Sequence, residues 1–335
     1  MVSKKFLRRL GVPMLVLPLP ALAAPATANP GDTAWMIVAT LLVLLMTLPG
    51  LALFYGGMVR RKNVLATIAH STAAMAIVTV LWFIVGYSLS FGSSGETTNG
   101  FIGGLQAAFL NGVTPSTTHS LAPGLPEFLW IAYQLTFAII TPALIAGAFA
   151  ERIKYSGLLL FTGLWTLLVY APICHWVWGG GFLGAAGVLD FAGGAVVHVN
   201  SGVAGLVAAI VLGKRHGFGR DNMAPHNLAF TAIGTGLLFV GWLGFNAGSA
   251  WAADGIAAVA AFNTILAAAA AANGWTAIEW VDHRTPTLLG LLSGLVAGLV
   301  GITPAAGRVD PMGAYVIGLV SGPACYAGAV WLKRA

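Results

Sequence analysis

The feature that most constrains this chain is a series of nine apolar runs of near membrane length, with almost all basic residues confined to alternate gaps between them. The runs fall at about 34–56, 64–91, 127–149, 156–176, 195–213, 226–247, 255–279, 286–303 and 313–332. About 20 apolar residues of helix cross a hydrocarbon core of about 30 Å, so each run predicts a membrane-spanning helix. The composition agrees: 58% of the 335 residues are hydrophobic and 8% charged, with a mean hydropathy of +0.86. That balance excludes a soluble globular domain. The expected fold class is an all-α polytopic, multi-pass membrane protein.

The formal charge of +6 and a pI near 9.6 would suit a nucleic-acid partner, but the 16 Lys and Arg sit at the ends of apolar runs and form no patch. Topology accounts for them instead. Arg60, Arg61 and Lys62 follow the first run, Arg152 and Lys154 the third, and Lys214, Arg215 and Arg220 the fifth. Arg284 follows the seventh, and Lys333 and Arg334 the ninth. Outside the N-terminal segment, the other gaps hold one basic residue, Arg308. The positive-inside rule then predicts an external N-terminus and an internal C-terminus. Residues 1–24 give the same orientation independently. A basic start (Lys4, Lys5, Arg8, Arg9), a short apolar stretch from Leu10 to Leu22 and small residues to Ala24 make a signal-peptide pattern. Cleavage is expected near Ala23 or Ala24, leaving a membrane domain over 25–335.

Within the fifth run, His198 is the residue to explain. An ionisable group at that depth is costly and faces a bundle interior or a transport path rather than lipid. Helical spacings of three, four and seven place Gly194, Ser201, Gly202 and Gly205 with it, as small residues for close packing. Val196, Val197, Val203, Leu206 and Ile210 are expected to face lipid or apolar neighbours. Asp190, just before the helix starts, is expected to cap it. No second His, Cys or carboxylate shares the His198 face at ligand spacing, so no metal is expected. Nor does a Ser, Cys or Asp stand ready for nucleophilic chemistry, which argues against an enzyme. Cys174 and Cys325 read as packing residues. The WVWGGGF segment beginning at Trp176 can turn tightly, but with no GK[ST] after it and no strand before it, it is no phosphate cradle and implies no cofactor. Its tryptophans suit the membrane interface, as does His175. The gap at 92–126, rich in Gly, Ser, Thr and Pro, with Glu96 and no Lys or Arg, suits an external cap or vestibule rim.

Five spans followed by a second set of five would form an inverted pair with a path at their interface. The count here is five plus four, with repeats at about 32–215 and 226–335.

Several segments together resemble one family. LPGLALFYGGMVRRKNVL (48–65), GAFAERIKYSGLLLF (147–161), HWVWGGG (175–181), DFAGGAVVHVNSGVAGLVAAIVLGKR (190–215), PHNL (225–228), GWLGFNAGS (241–249) and GLLSGLVAGLVGITPAAG (290–307) look like the ammonium transporter family, bacterial branch. The resemblance implies an inverted five-helix repeat with an eleventh helix, a pore through each subunit of a homotrimer, and ammonium or ammonia as substrate, with methylammonium as an analogue. It implies an external recruitment site at Trp178 and Ser249, a gate at Phe137 and Phe245, and a pore histidine at His198 supported by Asp190. On the same resemblance the second repeat lacks its last helix, and with it a second pore histidine. The cytoplasmic tail that meets a PII-type signalling protein in the family is also missing, so a truncated, transport-deficient member is an alternative. An ammonium sensor is another.

Each residue has a plainer reading. Trp178 suits an interfacial anchor, Ser249 a helix–helix hydrogen bond, the two phenylalanines ordinary packing, and His198 a hydrogen-bonded packing residue. The path reading has a physical logic of its own. Ammonium carries four N–H donors, so an aromatic face and a hydroxyl acceptor hold it where a carboxylate would trap it. Potassium has a similar size but cannot shed a proton to become neutral, so an apolar passage selects ammonia.

Overall fold

The computed structural model describes residues 28–95 and 98–331; the signal-peptide segment 1–24, Glu96, Lys333 and Arg334 lie outside the described residues. Eight helices have the length and apolar character to cross a membrane. In chain order, α1 is Pro30–Met58, α2 Arg61–Phe91 and α3 Glu127–Phe149, while α4 runs through Tyr155–Trp165, Thr166–Tyr170 and Ala171–Val177. Next come α5 at Gly194–Leu212, α6 at Leu228–Gly248 and α7 at Gly255–His283. The helix at Leu288–Ile302 is α8, and α9 is Pro311–Val330. All nine expected runs are thus helical among the described residues, but α8 falls short of membrane-crossing length and is shorter than its apolar run. Its 15 residues reach about 22 Å at 1.5 Å per residue. The run overestimates it because Thr287 caps the helix by accepting from the Gly290 N–H, and because the chain leaves the helix at Thr303 for a turn through Pro304.

Side-chain caps start four of the other helices. Asn29, Asn227, Asp254 and Asp310 each accept backbone N–H groups of the first turn of α1, α6, α7 and α9, satisfying donors that lack a helical partner. Wider π-helical turns interrupt α1 at Met46–Leu51, α2 at Trp82–Gly86, α4 at Thr166–Tyr170 and α5 at Gly194–Val199. The last of these corrects a sequence expectation. A π turn advances by five rather than four residues, so the helix wheel drawn through His198 is rotated beyond it. Gly202, expected at a close helix contact, lies on the open surface, while Val196 and Val197 find the apolar neighbours expected of them in the core. Val203, Leu206 and Ile210 do face outward.

Small residues set the packing distances. A Cβ added at Gly234 on α6 would lie 2.3 Å from the Phe54 backbone nitrogen on α1. Gly318 and Gly322 on α9 press as closely on the α7 backbone at Ala267 and Ala271, as expected where helices meet without help from water. The central element is α3, with 15 of its 23 residues buried.

On the basic side, Glu151 ties three gaps together. It takes the Arg60 guanidinium at 2.6 Å and the Arg60 N–H at 3.0 Å, with Arg215 at 4.0 Å. Arg60 also reaches Asp221 at 3.1 Å, and Arg152 donates to the carbonyls of Gly213 and Ala148. On the opposite side, the 92–126 gap folds into a cap with a short antiparallel hairpin, β1 at Thr118–His119 and β2 at Ala122–Pro126.

Candidate functional site

The site is built outward from Asp190. Its Oδ1 accepts N–H groups from Gly193 (2.8 Å) and Gly194 (2.6 Å), and its Oδ2 accepts those from Ala195 (2.8 Å) and Val196 (3.0 Å). One carboxylate therefore satisfies four donors at the start of α5, which is the capping role expected of it. Gly193, at φ +107°, supplies the left-handed turn that aims those N–H groups back. The Asp190 carbonyl in turn accepts from Trp178 Nε1 at 2.8 Å, so one residue places both the helix bearing His198 and the indole.

Trp178 sits in the glycine turn after α4. There the N–H groups of Gly179 and Gly181 donate to the His175 carbonyl. His175 itself departs from the expected interfacial position: it is fully buried, with Nδ1 3.0 Å from the Ser90 carbonyl and Nε2 2.6 Å from that of Asn99. The end of α2 supplies the Ser90 carbonyl and the cap that of Asn99, which hydropathy along the chain could not reveal.

From Trp178 a file of rings leads inward. Phe137 meets the Trp178 indole edge-on, with centroids 5.6 Å apart. Phe137 and Phe245 lie against each other at 4.3 Å, both almost fully buried. His198 is stacked on Phe245 at 5.8 Å and on Trp242 at 5.3 Å, and its Nε2 is buried without a hydrogen-bond partner among the described residues. Ser249, at the end of α6, has its hydroxyl 2.8 Å from the Phe245 carbonyl, and Tyr133 Oη is 3.2 Å from the same Oγ. A hydroxyl donating its one proton to a carbonyl keeps lone pairs free to accept. All six residues singled out from the sequence therefore belong to one connected assembly.

Trp178, Asp190 and Ser249 also share the wall of an outer cavity of about 320 Å³ with Trp251 and Arg308. A larger groove, about 650 Å³, lies between α4 and α5, is lined almost wholly by apolar side chains, and contains none of the six. Behind the outer cavity, His119 stacks flat on Trp130 at 4.9 Å, and Trp130 meets Trp251 edge-on. Burial holds the His119 imidazole below the ordinary histidine range, partly offset by the nearby Glu127 carboxylate. Among the described residues, no three His, Cys, Asp or Glu side chains are grouped to hold a metal.

Sequence reasoning missed Tyr133, Trp242, Trp251 and Arg308 as members of the site. Two had a usable signal. Tyr133 precedes Phe137 by four residues and Trp242 precedes Phe245 by three, spacings that share a helix face.

A model of the Ammonium Transporter Family matches residues 34–335. The chain is 51% identical over 311 residues to an ammonium transporter of Bacillus subtilis, covering 91% of this chain and 73% of that protein. Among solved structures, it superposes on Saccharomyces cerevisiae Mep2 with a TM-score of 0.83 at 40% identity, over 90% of this chain and 69% of the other. A sensor Amt protein is also similar in structure, with a TM-score of 0.81 at 29% identity, over 89% of this chain and 74% of that one.

Proposed function

The chain belongs to the ammonium transporter family, and from that premise we propose that it moves ammonium nitrogen across the membrane by binding the ion outside and passing ammonia through the ring file. The observation that carries this reading is the unbroken sequence from the outer cavity through Trp178, Phe137 and Phe245 to His198.

Ammonium enters the outer cavity and rests on the face of Trp178, where the ring quadrupole attracts a cation, and donates one N–H to Ser249 Oγ. Asp190 contributes its negative charge to the cavity but not a ligand, because both its oxygens are committed to backbone N–H groups. The ion is therefore held weakly enough to leave. Ahead of it the paired phenylalanines offer no oxygen to replace water, and an ion in apolar surroundings is penalised heavily. Ammonium returns a proton to the water of the outer cavity, and neutral ammonia passes as the rings swing aside. Beyond them, the unpartnered His198 Nε2 gives ammonia a hydrogen-bonding station in an otherwise apolar passage.

The same reading places the protein in the plasma membrane with its N-terminus outside after removal of a signal peptide, working in nitrogen uptake. It also proposes assembly as a homotrimer, supported by the family likeness.

Uptake of labelled methylammonium into proteoliposomes tests the transport step. The expected result is saturable uptake unaffected by excess potassium, with Trp178→Leu raising the half-saturation concentration about tenfold, as for loss of a desolvated cation–π contact. No uptake by the wild-type protein, or equal transport of potassium, would overturn the reading.

A further inference from the structure

Arg308 is the one basic side chain in the outward gaps, and it stands on the wall of the cavity that holds Trp178, Asp190 and Ser249. Its place there is fixed by the backbone around it. The Phe191 N–H donates to the Pro304 carbonyl at 3.0 Å, and Arg308's own N–H donates to that of Ala305 at 2.8 Å. Asn263 Nδ2 donates to the carbonyls of Ala306 and Val309, at 2.9 and 2.8 Å. Gly307 is so close to the Phe191 ring that an added Cβ would lie 2.3 Å from it, which ties the residue before Arg308 to the residue after Asp190. Arg308 is exposed, and the described residues give its guanidinium no ion pair within 4.0 Å. Asp190, on the same wall, is occupied with its four N–H donors.

A permanent, unpaired cation on the wall of a site that takes cations is a cost unless it does something. An aromatic face attracts any cation, and the –NH3+ end of a protonated diamine still has an N–H to give Ser249, so Trp178 and Ser249 alone do not reject it. Charge does. Repulsion by Arg308 grows in proportion to the charge of the visitor, so the factor by which it weakens a monovalent ion is squared for a divalent one.

We propose that Arg308 is a specificity-determining residue, a valence filter that admits monovalent ammonium to the outer cavity while holding back divalent metal ions and organic diamines. The proposal rests on the reading of this cavity as the ammonium recruitment site.

The test uses wild type, Arg308→Gln and Arg308→Lys in proteoliposomes at about 10 mM ionic strength, where the Debye length is about 30 Å and the field of Arg308 spans the cavity. Methylammonium is the substrate and 1,4-diaminobutane the competitor. The expected result is that Arg308→Gln lowers the half-saturation concentration for methylammonium about two- to threefold and the inhibitory concentration of the diamine about four- to ninefold. Arg308→Lys keeps wild-type values, and both differences fade near 1 M salt, where the Debye length is about 3 Å. Equal shifts for both ligands, no shift in Arg308→Gln at low salt, or loss of the filter in Arg308→Lys would overturn the proposal. Diamine binding followed by tryptophan fluorescence on the same purified proteins needs no transport. If the wild type fails to transport but the squared charge dependence of binding appears, only the transport reading falls. If binding is unchanged in Arg308→Gln, the valence filter falls alone.

Discussion

Asp190 shows how much one side chain can organise. Each of its oxygens takes two backbone N–H groups, and its carbonyl holds Trp178. Asparagine in its place has one acceptor oxygen and turns an NH2 group toward two donors. Asp190→Asn is therefore expected to cost about 2–4 kcal/mol, as charge-assisted bonds are lost and buried N–H groups are stranded. It should also lower methylammonium uptake more than tenfold through displacement of Trp178. Thermal unfolding in detergent, together with uptake, checks both parts, and a variant with wild-type melting would contradict the account. His175 makes the complementary point about what a sequence conceals. Its neighbours in the chain are interfacial in character, while its actual partners, the carbonyls of Ser90 and Asn99, come from residues more than 70 positions away. No local pattern contains that information.

At the scale of elements, close approach of helices is the main stabilising device, and it is sensitive to single atoms. Gly318 on α9 has room for no side chain, since a Cβ would come 2.3 Å from the Ala267 carbonyl oxygen on α7. Gly318→Leu is expected to push these helices apart and to lose most folded protein, measured as the monodisperse fraction after extraction. Normal recovery would show that the contact yields more easily than the geometry says. The loops on the basic side have a different signature. Burial alone would raise the Glu151 carboxyl, but hydrogen bonds and charge from Arg60 hold it down to about 2, against an ordinary 4.5. A carboxylate depressed in the folded state contributes stability that is present above pH 4.5 and is lost as pH falls from there toward 2. Melting temperatures across that window should drop for the wild type and change less for Glu151→Gln; parallel curves would remove Glu151 from the explanation. All nine helices were legible in the sequence because an apolar run is a local property, and eight of them have spanning length. The length of α8 and the facing of α5 were not, because Thr287, Pro304 and a π turn act through bonds that hydropathy does not register. Five of the site residues were legible through family motifs and Phe137 through the collinear resemblance alone, and their mutual contacts only in three dimensions.

For the molecule as a whole, the distribution of charge predicts which side each loop occupies. An impermeant maleimide applied to intact cells should label Ser116→Cys in the external cap and spare Arg220→Cys until the membrane is opened, in a background with Cys174 and Cys325 replaced. The reverse pattern would invert the topology. The contact between Phe137 and Phe245, two nearly inaccessible rings with centroids 4.3 Å apart, has a meaning for the cell beyond selection among solutes. Protons travel through proteins along threads of water, and a pair of hydrocarbon rings in contact interrupts such a thread. With such a break in every copy, a membrane can hold many of these molecules without losing the voltage across it.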